Sequence, residues 1–243
     1  MTTVTLQKTR PALHFQNAKK GGVGKTLLSK LKAAYLLENE LSFAAFDADP
    51  QHSFLKAHPD FVVESLFSEL DRYLRISDRT LDYALRQLTL VDLPGNCEPE
   101  FHFWLEERDV IALAHDVEIQ LQNWYVLDGS TETYEGFLKT LDFMGVEKVK
   151  HILVLNLGRN EDWEDLENYV PNSLVNQANI TLFYLPRLTG DIADMLYKGS
   201  MSFTAARRYQ GFSIAQLAGL RRYLNKSYEA LEAIGFSSEA LRA

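Results

Sequence analysis

Apolar positions along this chain fall into short dense runs separated by longer stretches of helical spacing. The runs are "ALHFQNA" (12–18), "LSFAAFD" (41–47), "LTLVDLP" (88–94), "NWYVLDG" (123–129), "HILVLNL" (151–157) and "ITLFYL" (180–185). Nearly continuous apolar runs of this length belong to strands covered on both faces, the condition of a parallel sheet. Between them "TLLSKLKAAYLLEN" carries leucines and alanines three and four residues apart, and helices are expected near 131–144, near 161–168 and, as one long element, over 213–234. Residues 98–117 read as helix or strand, and "RDVIALAHDV" leans to helix. Such alternation predicts an α/β fold, a doubly wound, mostly parallel sheet flanked by helices. At 243 residues, without repeat, low-complexity tract or linker, the chain is expected to form a single domain, 1–243.

The turn after the first run changes the picture from fold to chemistry. "NAKKGGVGKTLL" (17–28) places a glycine loop between a strand and a helix, where backbone N–H groups and the helix N-terminus converge on an anion. Gly21, Gly22 and Gly24 let the backbone approach phosphate oxygens, Lys25 reaches the β- and γ-phosphates, and the Thr26 hydroxyl suits Mg²⁺; Val23 and Leu27 complete the nucleotide-binding stretch. The general phosphate-loop pattern G-x-x-x-x-G-K-[ST] has glycine where this chain has Lys19, so the loop is a variant. Two strand ends supply carboxylates: "FDADPQ" carries Asp47 and Asp49, and "LTLVDLPGN" closes on Asp92. Asp92 is placed to hold Mg²⁺ through water, and the turn at Gly95 to sense a γ-phosphate. Asn156 ends "ILVLN" with an amide able to read an adenine edge.

"KGGVGKT", Lys20 to Thr26, matches in full the loop of the ParA/MinD family of P-loop ATPases, and the chain resembles that family. The resemblance implies an ATP-hydrolysing, Mg²⁺-dependent switch that dimerises on ATP. Lys20 would be the signature lysine that reaches the partner subunit's nucleotide. "FDADPQ" resembles the family's D-x-D-P-Q element, so Asp47 would support the Mg²⁺ region with Thr26 and Asp92, and Asp49 would position the attacking water; Lys20, Lys25 and Asp49 form the implied catalytic set. Asn156 and the Pro186–Arg187 pair of "YLPRL" would flank the adenine. The family also implies a protein partner that stimulates hydrolysis or carries cargo.

Two branches are compatible. One is a partition-type ATPase lacking an added DNA-binding domain, for which there is no room before residue 12. The other is a TraL/MobD-type conjugation ATPase, which "VLDGSTETYEGFLKTLD", "SMSFTAARRYQGFS" and "LAGLRRYLNKSYEAL" resemble more loosely. Both imply a plasmid-associated role. Two other classes stay open. An ATP-dependent ligase of the dethiobiotin synthetase or cobyrinic acid amidase type would need a carboxylic acid pocket, for which no motif is found. A non-hydrolysing, nucleotide-gated adaptor is opposed by Asp49.

Composition narrows the partners. The chain has net charge −8, yet Lys198 to Tyr228 holds six cations and no acid, leaving −14 for the remainder. Arg207, Arg208, Arg221, Arg222 and Lys226 are therefore candidates for binding DNA without sequence preference. A membrane role is not expected, because the C-terminal "EALEAIGFSSEALRA" carries three glutamates. No apolar run is long enough to span a bilayer or act as a secretory signal, and a cytoplasmic location is expected. The lone Cys97 excludes a disulfide within the chain, and the six histidines lack metal-ligand spacing.

Overall fold

The computed structural model describes residues 6–49, 51, 53–163, 170, 172–175, 177, 179–188, 190–198 and 201–243. Pro50, His52 and residues 164–168 of the expected 161–168 helix lie outside them. Seven strands form one parallel sheet: β1 (Ala12–Asn17), β2 (Ala44–Asp47), β3 (Val62–Glu64), β4 (Leu88–Asp92), β5 (Gln120–Leu127), β6 (Val149–Asn156) and β7 (Ile180–Leu185). Their spatial order is β3-β2-β4-β1-β5-β6-β7. The chain leaves β1 toward β2 on one side and later builds β5, β6 and β7 on the other. The crevice over the carboxyl ends of β1 and its neighbours is thus the topological switch point, where open α/β sheets bind ligands.

Successive residues on a strand face opposite sides, so each central strand feeds two cores. Leu13 and Phe15 pack with Phe101 and Trp104, and Tyr125, Leu127, Leu153 and Leu155 with Phe137. Trp124, Val126, Ile152 and Val154 face the opposite layer with Leu28, Leu31 and Leu224. The layers are built from α1 (Lys25–Glu38), α2 (Ser53–Ala57), α3 (Asp71–Ala84), α4 (Glu98–Glu107), α5 (Val110–Asp116), α6 (Thr131–Met144), α7 (Asn172–Val175), α8 (Asp191–Lys198), α9 (Phe203–Ala206), α10 (Ile214–Ala233) and α11 (Ser238–Leu241). Ser213 starts α10 with a capping box: its hydroxyl accepts from Gln216 N, and the Gln216 side chain accepts from Ser213 N.

The helix reading of 98–117 holds, but as two helices parted at Asp109, which adopts φ 44°. The run at 41–47 is strand only from Ala44, and Leu41 instead bridges Gln7. Residues 53–84 hold elements that the apolar pattern did not announce. β3 is three residues long, and the buried positions of α3 include Ser77 and Thr80 beside Leu74, Leu81 and Ala84. The buried positions of α3 fall at helical intervals among six charged residues, so no dense apolar run marks it.

Candidate nucleotide-binding site

The loop from β1 to α1 has its shape because glycine permits it. Gly22 and Gly24 adopt φ 75° and 120°, and Gly24 is the N-cap of α1. A Cβ on Gly24 would lie 2.5 Å from Asn156 Nδ2. Asn156 is held there by two bonds: its Nδ2 donates to Val23 O at 2.6 Å, and its Oδ1 accepts from Gly158 N at 2.9 Å. The end of β6 thereby fastens the loop. On its other side Gly95 touches the loop backbone so closely that a Cβ would fall 2.4 Å from Gly21 N, while Asn96 N donates to Lys19 O at 3.0 Å. Lys25 is 4% exposed and donates to Lys20 O at 3.1 Å. Burial lowers its pKa from the usual lysine value, with Asp92 and Asp49 among the groups that oppose the shift.

The β2–β4 register sets Asp47 beside Asp92, both fully buried. Asp92 Oδ2 accepts from Thr26 Oγ1 at 2.7 Å and Oδ1 from Ser29 Oγ at 3.0 Å. Burial pushes the Asp92 carboxyl up to about 7; the neighbouring Asp47 adds to this, and the Thr26 bond and Lys25 act against it. Asp47 has local work: Oδ1 accepts from Asp49 N at 3.0 Å, and Oδ2 from Phe54 N at 3.0 Å and Leu55 N at 2.8 Å. Asp49 is half-buried, and with Gly21, Gly22, Gly24, Lys25, Thr26 and Leu27 it lines a cavity of about 200 Å³. Thr26 and Asp92 offer a hydroxyl and a carboxylate, hard oxygen donors that fit Mg²⁺ completing its shell with phosphate and water. Among the described residues no three His, Cys, Asp or Glu are grouped to hold a metal unaided.

The two lysines before the glycines point away from this cavity. Lys19 Nζ pairs with Glu98 at 2.8 Å, at the start of α4, rather than standing in solvent. Lys20 Nζ lies 2.9 Å from Asp128 Oδ2 and donates to Ser130 Oγ at 2.9 Å, with Glu132 at 3.9 Å. Asp128 also accepts from Ser130 N at 3.1 Å and from Thr133 Oγ1 at 3.0 Å, ordering the start of α6. Desolvation works to raise the Asp128 pKa, but the bonds from Ser130, Lys20 and Thr133 outweigh it and hold the carboxyl at about 2.

Pro186 and Arg187 line a separate cavity of about 540 Å³ with Arg222 and Lys226 of α10. Arg187 forms an ion pair with Glu161. The five basic candidates do not share one surface. Arg207 pairs with Glu38 at 3.1 Å and lines a third cavity with Arg221, on another flank of α10 from Arg222 and Lys226. Arg208 is exposed. Sequence reasoning missed three participants: Asp128, Ser130 and Arg159, the last of which lines the phosphate-loop cavity. The tract "LDGSTE" holds an Asx-Ser-Thr helix-start signal, but nothing local marks it as the partner of a lysine 108 positions earlier.

A glycine loop between β1 and α1, a Thr–Asp pair at its mouth and a parallel sheet of this order define the P-loop NTPase fold. Among solved structures, the chain is similar to the MinD cell division protein of Aquifex aeolicus, with TM-score 0.51 and 14% identity over 88% of this chain and 97% of that one. It is similar also to the MinC:MinD cell division protein complex of Aquifex aeolicus, with TM-score 0.50 and 13% identity over 88% and 96%. A looser likeness, TM-score 0.45 and 12% identity over 91% and 99%, is to pNOB8 ParA bound to nonspecific DNA. At these identities the first two likenesses are of fold. No protein-family model and no curated protein matches the chain.

Proposed function

We propose that this chain is an Mg²⁺-dependent ATPase switch of the ParA/MinD type, which dimerises on ATP and works for a plasmid in partition or conjugal transfer. The observation that carries the reading is the cluster at the switch point: the loop Gly21–Thr26, Lys25 buried at its centre, and Thr26 bonded to Asp92 at 2.7 Å. Such a site binds a phosphate chain through backbone N–H groups and one lysine. Bound Mg²⁺ would neutralise charge on the β- and γ-phosphates. Asp49, beyond the end of β2 and lining the cavity, has the position to orient an attacking water, and Asp47 backs Asp92 from the neighbouring strand. The adenine would sit by Asn156, Pro186 and Arg187; since Asn156 already bonds Val23 and Gly158, it would use its remaining N–H or lone pair. Lys20 would leave Asp128 to reach the partner subunit's phosphates. A MinD neighbour was solved with MinC, and a protein partner is proposed here in the same spirit. DNA, held through the cations of α10 and its approach, is the second proposed partner.

Mutation of the two lysines tests the reading. Lys25→Ala should abolish ATP binding. Lys20→Ala should keep binding but lose ATP-dependent dimerisation and turnover, followed by light scattering and phosphate release. A Lys20→Ala protein that dimerises and turns over like wild type would remove the trans role.

A further inference from the structure

Arg159 stands on the turn that follows β6, and that turn is built around one side chain. The backbone N–H groups of Arg159 and Asn160 both donate to Asn156 O at 3.0 Å, Gly158 N donates to Asn156 Oδ1 at 2.9 Å, and Leu157 N donates to Leu185 O at 3.0 Å. Asn156 Nδ2 holds Val23 O in the glycine loop at 2.6 Å. One asparagine therefore fixes the base of Arg159 relative to the phosphate loop. Asp49 follows β2 and Arg159 follows β6, on opposite sides of β1 in the sheet, yet both line the same cavity as Lys25 and Thr26. The cavity is thus flanked by a carboxylate on one side and a guanidinium on the other.

Charge balance says what the guanidinium is for. A nucleoside triphosphate brings several negative charges, which the cations lining its cavity must meet. Among the described residues, Lys25 and Arg159 are the cations that line the cavity. A planar guanidinium grips two phosphate oxygens with paired N–H groups held in a fixed fork, where an ammonium acts as a compact point charge. We propose that Arg159 binds the phosphate chain of the nucleotide in its own subunit, clamping it from the β6 side; this rests on the nucleotide-binding reading above.

The test uses the full chain with Arg159→Ala and Arg159→Lys, measuring affinity for ADP, ATP and adenosine by calorimetry or competition, and turnover at saturating ATP. Arg159→Ala should weaken ADP and ATP roughly 10-fold or more, as expected for a lost charged hydrogen bond, and leave adenosine unchanged. Arg159→Lys should recover part of the loss. Turnover at saturating ATP should fall less than affinity. Unchanged affinity for ADP and ATP in Arg159→Ala, or an equal loss for adenosine, overturns the proposal while the parent reading stands. A wild-type chain that binds neither nucleotide overturns both.

Discussion

At the scale of single residues, the site is governed by which charges are already spoken for. Lys20 directly precedes the glycines of the loop, and in this structure Asp128 and Ser130 hold its ammonium. Any role at a phosphate therefore begins with breaking that ion pair. Asp128→Asn keeps an acceptor for Ser130 and Thr133 at the start of α6 but removes the charge opposite Lys20. A partly buried pair of this kind is worth about 1 kcal/mol, so the variant should dimerise at a roughly fivefold lower ATP concentration. Light scattering along an ATP titration checks this; a midpoint that stays or rises removes the idea that Asp128 restrains Lys20. The glycine loop, Thr26 and Asp92 were legible in sequence because their chemistry is local and ordered: strand, loop, helix, then a strand ending in aspartate. Asp128 and Arg159 were not, because their importance comes from strand order in space, which sets β5 next to β1 and β6 one strand beyond it without leaving a mark nearby in the chain.

At the scale of elements, α1 is the unusual one. Its pattern is apolar enough to announce a buried helix, and it is buried, but three lysines go in with it: Lys25, Lys30 and Lys32. Lys30 donates to Leu196 O at 3.0 Å at the end of α8; burial lowers its pKa to about 8, against the opposing pull of Asp92 and Asp47. Lys32 is fully buried. Its Nζ lies 3.1 Å from His14 Nδ1, 3.8 Å from the centre of the Trp124 ring and 5.2 Å from that of Phe236. Burial drives this amine well below its ordinary pKa. The unfolded side chain keeps its proton up to about 10.4, so between the lowered folded value and that point the unfolded state binds one proton more. Stability should therefore rise as pH climbs toward about 10. Lys32→Met should raise stability at pH 7 by roughly 1–4 kcal/mol and flatten this rise, as replacing a buried charge-bearing group by an apolar one of similar size does. Thermal melts at neutral and alkaline pH measure both effects; a lower Tm at pH 7 would show that the amine stabilises its aromatic cage. Sequence periodicity located α1 correctly but carried no sign that its lysines face inward, since a lysine on a helix is ordinarily solvated.

At the scale of the whole molecule, charge is distributed against its average. The chain is −8 overall, but the long helix α10 runs from Ile214 to Asp-free and Glu-free surface through Arg221, Arg222 and Lys226 before its first acid, Glu229. The exposed cations lie on two flanks of that helix, and one of the candidates, Arg207, is neutralised by Glu38. A single flank gives few phosphate contacts, so binding to duplex DNA by one subunit should be weak and, if the proposed ATP-dependent dimer forms, should strengthen as two such faces are paired. Counterion release then makes affinity fall steeply with salt, with a slope set by the number of phosphates neutralised. Choice of mutation follows from the cavities. Arg222 lines the one beside Pro186 and Arg187, where adenine is proposed to lie, so its reversal would disturb nucleotide and DNA together. Arg208 is exposed and Arg221 lies on the other flank, so Arg208→Glu with Arg221→Glu isolates the DNA surface. The double variant should lose DNA binding in gel shifts over a salt series with ATP, while its ATP-dependent dimerisation is unchanged. A wild-type chain that shows no shift at low salt with ATP or ADP would remove DNA as a partner and leave the proposed protein partner as the output of the proposed switch.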